Sequence, residues 1–174
     1  HGVKLIDHIR VIEDYPIEGI SFKDISTLLK HPDAFRDAID AMVEASKEFE
    51  FDLVLAAEAR GFIVGAPLAY ATKKGFIPIR KPGKLPSDVL RQSYQLEYGT
   101  DFLEVHKDAI EKGQRVLIVD DLLATGGTSK ATIQMAESLG AVVAGCLYLV
   151  ELCELSGRRT LEGYQVESIV KYKR

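Results

Sequence analysis

The stretch "VLIVDDLLATGGTSKA", from Val116 to Ala131, decides how the fold and the function of this chain are interpreted. Four apolar residues lead directly into Asp120 and Asp121, and a glycine-rich turn then leads into a helical pattern that begins near Thr128. Adjacent carboxylates repel each other, and burying an unpaired charge is costly. We therefore predict that this acid pair lies at the end of a buried strand and faces a ligand that carries positive charge or hydroxyl groups.

Strand-like and helix-like segments alternate along the chain. Strands are predicted at Asp52–Ala57, Gly75–Arg80, Arg115–Val119 and Ala141–Val150, with an edge strand in "YQVESIV" near the C-terminal end. Helices are predicted from Pro32, from about Phe62 to Lys74 and from about Thr128 to Leu139, and a short amphipathic helix carries Leu5, Ile9 and Ile12. This alternation is typical of an α/β fold. We predict one domain over residues 1–174, with a mostly parallel, twisted sheet flanked by helices.

A polar segment interrupts this alternation between Lys81 and Thr100. It contains two prolines and two glycines, and we predict a long excursion with a hairpin near residues 94–97 and 102–105. Excursions of this length often act as lids over a binding site.

Composition limits the classes of partner. The 174 residues are 47% hydrophobic with a net charge of −4, which argues against capture of nucleic acid or of an anionic membrane by broad electrostatic attraction. No apolar run reaches the roughly 18 residues that a membrane span needs, and no secretory signal is visible. Cys146 and Cys153 lack metal-ligand spacing, so we expect reduced core thiols in a cytoplasmic protein.

The glycine-rich turn favours a phosphorylated sugar as the ligand. Ligands of open α/β sheets bind beyond the carboxyl ends of the strands, and a helix N-terminus attracts phosphate. Gly126 and Gly127 allow close backbone approach, while Thr125, Thr128 and Ser129 offer hydroxyl groups. The neighbouring carboxylates suit sugar hydroxyls or Mg²⁺. The turn is not a Walker A loop, because no lysine precedes the Ser/Thr in the required pattern.

Two other interpretations of the motif fit the sequence less well. A solvated acidic turn before an ordinary helix cap explains a bare "GGT", but it does not explain four apolar residues before the acids. A receiver-type signalling domain also has a carboxylate pair after a buried strand. However, that pair follows the first strand and needs about 100 further residues, whereas only 53 follow Asp121 here.

The segment from Val116 to Thr128 resembles the signature of the type I phosphoribosyltransferases. Three further stretches resemble the adenine-specific branch of that family: "GISFKDIS", "AAEARGFIVGAPLA" and "IPIRKPGKLP…YQLEYG", which together run from Gly19 to Gly99. The four motifs occur in the family's order over nearly the whole chain. The resemblance implies the type I phosphoribosyltransferase fold, with a small N-terminal hood and a flexible lid. It also implies the reaction of adenine with 5-phosphoribosyl 1-pyrophosphate (PRPP) to give AMP and pyrophosphate.

The resemblance also implies roles for individual residues. The catalytic residues are expected to be Glu97, Arg60 and Tyr98. Glu97 exchanges the proton of the base, Arg60 clamps pyrophosphate, and Tyr98 positions or shields the reacting centre. PRPP and AMP are expected to contact Asp120, Asp121, Ala124, Thr125, Gly126, Gly127, Thr128, Arg80, Lys81 and Lys84. No dedicated metal ligands are expected, because Mg²⁺ is bound mainly through PRPP and pyrophosphate oxygens.

Adenine is expected to contact Ser21, Phe22, Lys23 and Leu152. In the family the aromatic side chain stacks on the purine while backbone groups read its edge. Ser21 and Lys23 stand where relatives often have Val and Arg. The strand Gly145–Leu152 lacks the lysine that relatives acting on 6-oxopurines place there. The alternatives are transfer to xanthine or hypoxanthine, a nucleotide-sensing regulator with the same fold, and a catalytically silent binding protein. A homodimer is expected from the resemblance.

Overall fold

The computed structural model describes residues 4–95 and 99–173. The chain divides into two units, with the division between Ala41 and Met42. Each is described by itself below. That residues 1–174 act as one domain stays a prediction.

The first unit is built on a two-stranded hairpin. A single 3₁₀ turn, Leu5–His8, precedes β1 (Arg10–Glu13), which pairs antiparallel with β2 (Ser21–Asp24). The predicted amphipathic helix through Ile9 and Ile12 is therefore wrong beyond its first turn. The β-branched residues Val11 and Ile12 lie in the strand register opposite Lys23 and Phe22, which suits their stiff side chains.

Two helices follow the hairpin. The short α1 covers Ser26–Leu29, and α2 covers Pro32–Ser46. The predicted helix start at Pro32 is confirmed, as expected for a proline in the first turn.

The second unit contains a five-stranded parallel sheet in the order β4-β3-β7-β8-β9. The remaining elements in chain order are β3 (Leu53–Ala57), α3 (Arg60–Thr72), β4 (Gly75–Ile79), β5 (Val89–Gln95), β6 (Thr100–His106), β7 (Arg115–Leu123), α4 (Gly127–Ser138), β8 (Val142–Leu152), a 3₁₀ turn (Cys153–Leu155), α5 (Gly157–Thr160) and β9 (Val166–Tyr172). The predicted α/β class with a mostly parallel sheet and an edge strand near the C-terminal end is confirmed.

The central strand is longer than predicted. β7 continues through Asp120 and Asp121 to Leu123, because Leu122 and Leu123 stay in register with Val150 and Glu151 of β8. The acid pair therefore lies within the paired part of β7, close to its carboxyl end, rather than after the strand. Alternate residues of a strand point to opposite faces, so the two carboxylates leave the backbone in different directions.

The polar excursion is largely a hairpin. β5 and β6 pair antiparallel from Val89 with His106 to Gln95 with Thr100, a longer ladder than predicted. Inward-facing Leu103 and Val105 join the hydrophobic core of the sheet. Cys146 is buried in the same core, whereas Cys153 is half-buried beyond the end of β8, so only one of the two thiols belongs to the core.

Within residues 4–95 and 99–173, none of the helices has the length and apolar character that crossing a bilayer requires.

Candidate active site

A cavity of about 310 Å³ lies at the carboxyl end of β7. Its wall is formed by the continuous run 120–129 together with Arg60, Tyr94 and Gln95. The cavity thus combines the acid pair, the first turn of α4 and the start of α3. This is the edge of a parallel sheet at which α/β proteins bind their ligands.

Asp120 occupies an environment that penalises its charge. Burial, followed by the negative charge of Asp121, raises the pKa of the Asp120 carboxyl well above its usual range, and nearby Arg60 offsets this only in part. Oδ1 of Asp120 accepts a 2.8 Å hydrogen bond from the backbone N–H of Asp121. A Cβ added at Gly61 would lie 3.0 Å from this same oxygen, so glycine lets the first turn of α3 approach the carboxylate. The positive end of that helix favours a negative group at this position.

Asp121 is held by a cation. Its Oδ2 lies 3.0 Å from Nε of Arg60, and its side chain is only 5% exposed while that of Arg60 is 55% exposed. The sequence placed Arg60 in a loop, but it is the first residue of α3. The fixed helix start aims the guanidinium at the cavity, where it can also meet an anionic ligand.

The loop of residues 124–128, here called the phosphate loop, ends in the amino terminus of α4. Its Gly126 is the helix N-cap with φ +89°, a conformation that glycine adopts readily. Among the described residues no side chain caps this helix end. The backbone N–H groups of Gly127, Thr128 and Ser129 are therefore available to an anion, as the helix dipole favours.

The turn of α5 supports the phosphate loop from behind. A Cβ on Gly126 would lie 3.0 Å from the carbonyl oxygen of Gly157 and 3.0 Å from Cβ of Thr160. Arg158 in the same turn donates to the buried carboxylate of Glu151 through Nε and Nη2, at 2.9 and 3.0 Å, and its Nη1 donates to the carbonyl of Val166. These bonds fix α5, and hence the loop, to strands β8 and β9.

The three other predicted basic residues do not line the cavity. Nε of Arg80 donates a 2.9 Å hydrogen bond to Glu58, and the ammonium of Lys81 donates to Asp101 at 2.7 Å and to the hydroxyl of Tyr94. The hydrogen bonds that Lys81 donates to Asp101 and Tyr94 raise the pKa of its ammonium group. Lys84 is exposed.

Glu58 anchors the connection between β3 and α3. Burial alone would raise its pKa, but the backbone N–H of Lys81 and the guanidinium of Arg80 outweigh burial and keep that pKa below its ordinary value. The carboxylate therefore stays charged and holds the start of the polar excursion against the end of β3.

The residues predicted to contact the base belong to both units of the chain. Phe22 is half-buried in the hairpin of the first unit, where its ring meets that of Tyr15 edge to face at 5.2 Å. In the same strand the ammonium of Lys23 donates to Oγ of Ser21 at 2.7 Å. Leu152, in the second unit, is the last residue of β8 and half-buried. Glu97 and Tyr98 lie outside the described residues.

Sequence reasoning missed part of the cavity wall. Tyr94 and Gln95 were not predicted to contact the ligand, although they stand at the end of β5 beside the phosphate loop. The alternation of β5 was the available signal, because Tyr94 is half-buried between exposed neighbours. Ser129, whose hydroxyl the sequence offers to the phosphate together with those of Thr125 and Thr128, lines the cavity as well.

Comparison with known proteins agrees with this geometry. Residues 24–168 match the family model described as "Phosphoribosyl transferase domain". An adenine phosphoribosyltransferase of Desulfitobacterium hafniense (strain Y51) is 59% identical over 165 residues, covering 95% of each chain. The chain belongs to the phosphoribosyltransferase family, and within it to the adenine phosphoribosyltransferases.

Solved phosphoribosyltransferase structures have the same fold. The crystal structure of adenine phosphoribosyltransferase from Thermoanaerobacter pseudethanolicus superposes with a TM-score of 0.93 at 52% identity, covering 97% of this chain and 100% of that one. The enzyme from Saccharomyces cerevisiae, complexed with an imino-altritol bisphosphate and adenine, gives a TM-score of 0.88 at 37% identity over 95% of this chain and 96% of that one. The residues that match the family model include both the acid pair and the phosphate loop.

Proposed function

We propose that this protein transfers the 5-phosphoribosyl group of PRPP to adenine, forming AMP and pyrophosphate in purine salvage. The observation that carries the proposal is the joint position of the acid pair, the phosphate loop and Arg60 around one cavity. A sugar that bears a phosphate at one end and pyrophosphate at the other needs this combination of anion-binding amides, hydroxyl acceptors and a cation.

The phosphate loop binds the 5′-phosphate of PRPP. The amides at the start of α4 and the hydroxyls of Thr125 and Thr128 donate to its oxygens, and the residues of the loop that contact it are Ala124, Thr125, Gly126, Gly127 and Thr128. Asp120 and Asp121 accept hydrogen bonds from the 2′- and 3′-hydroxyls of the ribose. The hydroxyl donors relieve the repulsion between the two carboxylates, which gives the acid pair a reason to be there.

Transfer breaks the bond between C1 and the pyrophosphate oxygen and forms a bond from C1 to a nitrogen of adenine. The sugar becomes oxocarbenium-like while negative charge grows on the leaving group. Arg60 stabilises that charge, and Arg80, Lys81 and Lys84 assist from the start of the excursion. Lys81 must release Asp101 or Tyr94 to do so, since its ammonium is bound to both.

The purine loses a proton as its nitrogen bonds to C1. Glu97 takes that proton, and Tyr98 shields the reacting centre beneath the lid. Phe22 stacks on the adenine ring, the backbone of Ser21 and Lys23 reads its edge, and Leu152 contributes an apolar contact. A site built to pair with an amine donor leaves a polar group unpaired against a 6-oxopurine, which is the basis of specificity.

Mg²⁺ is the proposed metal, held mainly by PRPP oxygens. Among residues 4–95 and 99–173 there is no group of three or more His, Cys, Asp or Glu side chains that could hold an ion. The carboxylates of the acid pair are oxygen ligands of the kind Mg²⁺ takes one or two at a time beside substrate phosphates. When bound, the ion neutralises charge on the departing pyrophosphate.

A homodimer is proposed for the assembled enzyme. Ile63, Ala66 and Tyr70 form an exposed apolar stripe along α3, and Tyr70 is 88% exposed. Arg60 begins the same helix, so a second copy on this stripe would lie near the cavity. Sedimentation should give a mass near twice that of the 19.2 kDa chain, and a monomer would contradict the proposal.

The direct test is incubation of the protein with PRPP, Mg²⁺ and one free base at a time. Adenine should yield AMP and pyrophosphate in equal amounts, whereas hypoxanthine, xanthine and guanine should yield much less nucleotide. Faster conversion of a 6-oxopurine would make this a phosphoribosyltransferase for another base. No turnover of any base would favour a nucleotide-sensing regulator or a silent binding protein. Neither nucleic acid nor a membrane is proposed as a partner of this protein.

A further inference from the structure

A buried hydroxyl pair joins the start of α4 to the strand beside the acid pair. Oγ of Ser129 and the phenol oxygen of Tyr148 are hydrogen-bonded, with Ser129 5% exposed and Tyr148 fully buried. Tyr148 stands directly opposite Asp120 in the pairing of β7 with β8. Ser129 follows the phosphate loop and lines the cavity.

The protons of this pair can be assigned from its surroundings. Burial raises the pKa of Tyr148 well above its usual value, so the phenol keeps its proton. The neighbouring thiol of Cys146 is protonated too, because burial raises its pKa to about 12, and a thiol is a weak acceptor. The strong acceptor available to the buried phenol is therefore Oγ of Ser129.

This assignment leaves the proton of Ser129 without a protein acceptor. Within the described part of the chain, the hydroxyl of Ser129 has hydrogen-bond contact with Tyr148 alone. The geometry allows either oxygen to donate this hydrogen bond, and we assign the donated proton to the phenol because Tyr148 is fully buried. The serine proton is thus directed to the cavity, beside the amides of Gly127 and Thr128.

We propose that Ser129 donates a hydrogen bond to the 5′-phosphate of the substrate and that Tyr148 is the positioning residue that aims it. Tyr148 donates a hydrogen bond to Oγ of Ser129. This hydrogen bond fixes the serine rotamer and leaves the serine O–H free to donate to the ligand. The proposal rests on the proposed function, because it assumes that a sugar phosphate occupies the cavity. It adds a sixth consecutive residue to the phosphate contacts of residues 124–128.

Two single variants and their combination test this. Tyr148→Phe keeps the ring and removes the donor, and Ser129→Ala removes the hydroxyl that it aims. Each should weaken binding of ribose 5-phosphate in calorimetry and raise KM for PRPP by about tenfold, the effect of one hydrogen bond to a charged group. KM for adenine should stay within twofold of the wild-type value. The double variant should lose no more than Ser129→Ala alone, because the two hydroxyls act as one unit.

Tyr164→Phe is the matched control. Its phenol donates a 2.8 Å hydrogen bond to Glu137 at an exposed site, so it makes the same chemical change away from the cavity. Binding and both KM values should match the wild type.

Unchanged ribose 5-phosphate affinity in Tyr148→Phe would overturn the positioning role. Losses that add in the double variant, or an equal rise of both KM values, would overturn it as well. If Tyr148→Phe does not fold, Ser129→Ala decides, and wild-type affinity in that variant refutes the phosphate contact. Calorimetry with ribose 5-phosphate needs no turnover, so a wild-type protein that binds this sugar phosphate but makes no AMP would contradict the proposed function and not this inference.

Discussion

Arg60 and Asp121 form an ion pair in the wall of the candidate active site, with 3.0 Å between Nε and Oδ2. The carboxylate is almost buried and the guanidinium half-exposed, so the arginine is fixed at one end and open to the cavity at the other. This one contact links the start of α3 to the acid pair. Because Arg60 contacts both a buried carboxylate and the cavity, its structural role and its catalytic role can be tested separately.

Replacing Arg60 with Gln should lower kcat by about 10²–10³-fold, the usual effect of removing one donor to developing negative charge. Arg91→Gln is the control, because Arg91 is also 55% exposed and pairs with Glu104, which is only 2% exposed and lies away from the cavity. Both variants should lose similar thermal stability, and only Arg60→Gln should lose turnover in a PRPP assay. Equal losses of activity would show that the arginine acts through folding.

We predict that the buried carboxylate of Asp120 lowers the folding stability of the protein but is needed to bind PRPP. Because its pKa is raised in the folded protein, ionising it costs more there than in the unfolded chain. Stability therefore falls as pH rises from the ordinary value of 3.8 through the raised pKa. Asp120→Asn should raise Tm at pH 7 by about 2–4 °C, as about 1 kcal/mol does in a domain of this size, while kcat/KM for PRPP drops at least tenfold.

The gain in Tm should shrink as pH falls towards 3.8 and should vanish below it, where the wild-type carboxyl is protonated in both states. Melting curves at several pH values measure this directly. A variant that is less stable than the wild type at pH 7 would contradict the interpretation of Asp120 as an electrostatically strained group.

Gly126 is predicted to be needed for both its backbone conformation and its lack of a side chain. Gly126→Ala places a methyl group 3.0 Å from the carbonyl oxygen of Gly157 and should shift the phosphate loop, raising KM for PRPP about tenfold or more. Gly163→Ala is the control, since its φ is +96° and nothing lies within 4 Å of an added Cβ. Both substitutions cost about 1–2 kcal/mol of backbone strain, so unfolding in urea should give comparable losses. An equal KM effect in both variants would remove the steric argument.

Glu97 is expected to carry the proton transfer. Glu97→Gln should fold with an unchanged Tm and lose most of its turnover, because the amide accepts no proton from the purine. Glu162→Gln, at an exposed turn before β9, is the matched control and should keep wild-type turnover. Full activity in Glu97→Gln would assign the proton transfer to another group.

The mostly parallel sheet was predictable, because β3, β7 and β8 are nearly continuous apolar runs that such a sheet buries on both faces. The N-terminal strand was not. Leu5, Ile9 and Ile12 fit helical spacing, and only pairing with β2 reveals that most of this segment is extended. The secondary structure of a short segment is set by such distant pairing partners rather than by its own hydrophobic pattern.

The candidate site, like the fold, could be predicted from the sequence only in part. The phosphate loop was readable because its function demands glycine and hydroxyl residues in a fixed order. The ion pairs of Arg80 and Lys81 were not readable, since their partners Glu58 and Asp101 lie about 20 residues away along the chain. The Ser129–Tyr148 bond likewise joins α4 to β8, and neither residue signals the other in the sequence.

A crystal structure of the protein with AMP would test the phosphate loop and the acid pair together. We expect the 5′-phosphate against the amides of residues 125–128, with the carboxylates of Asp120 and Asp121 at hydrogen-bond distance from the ribose hydroxyls. A nucleotide bound elsewhere, with both carboxylates free of the sugar, would contradict it.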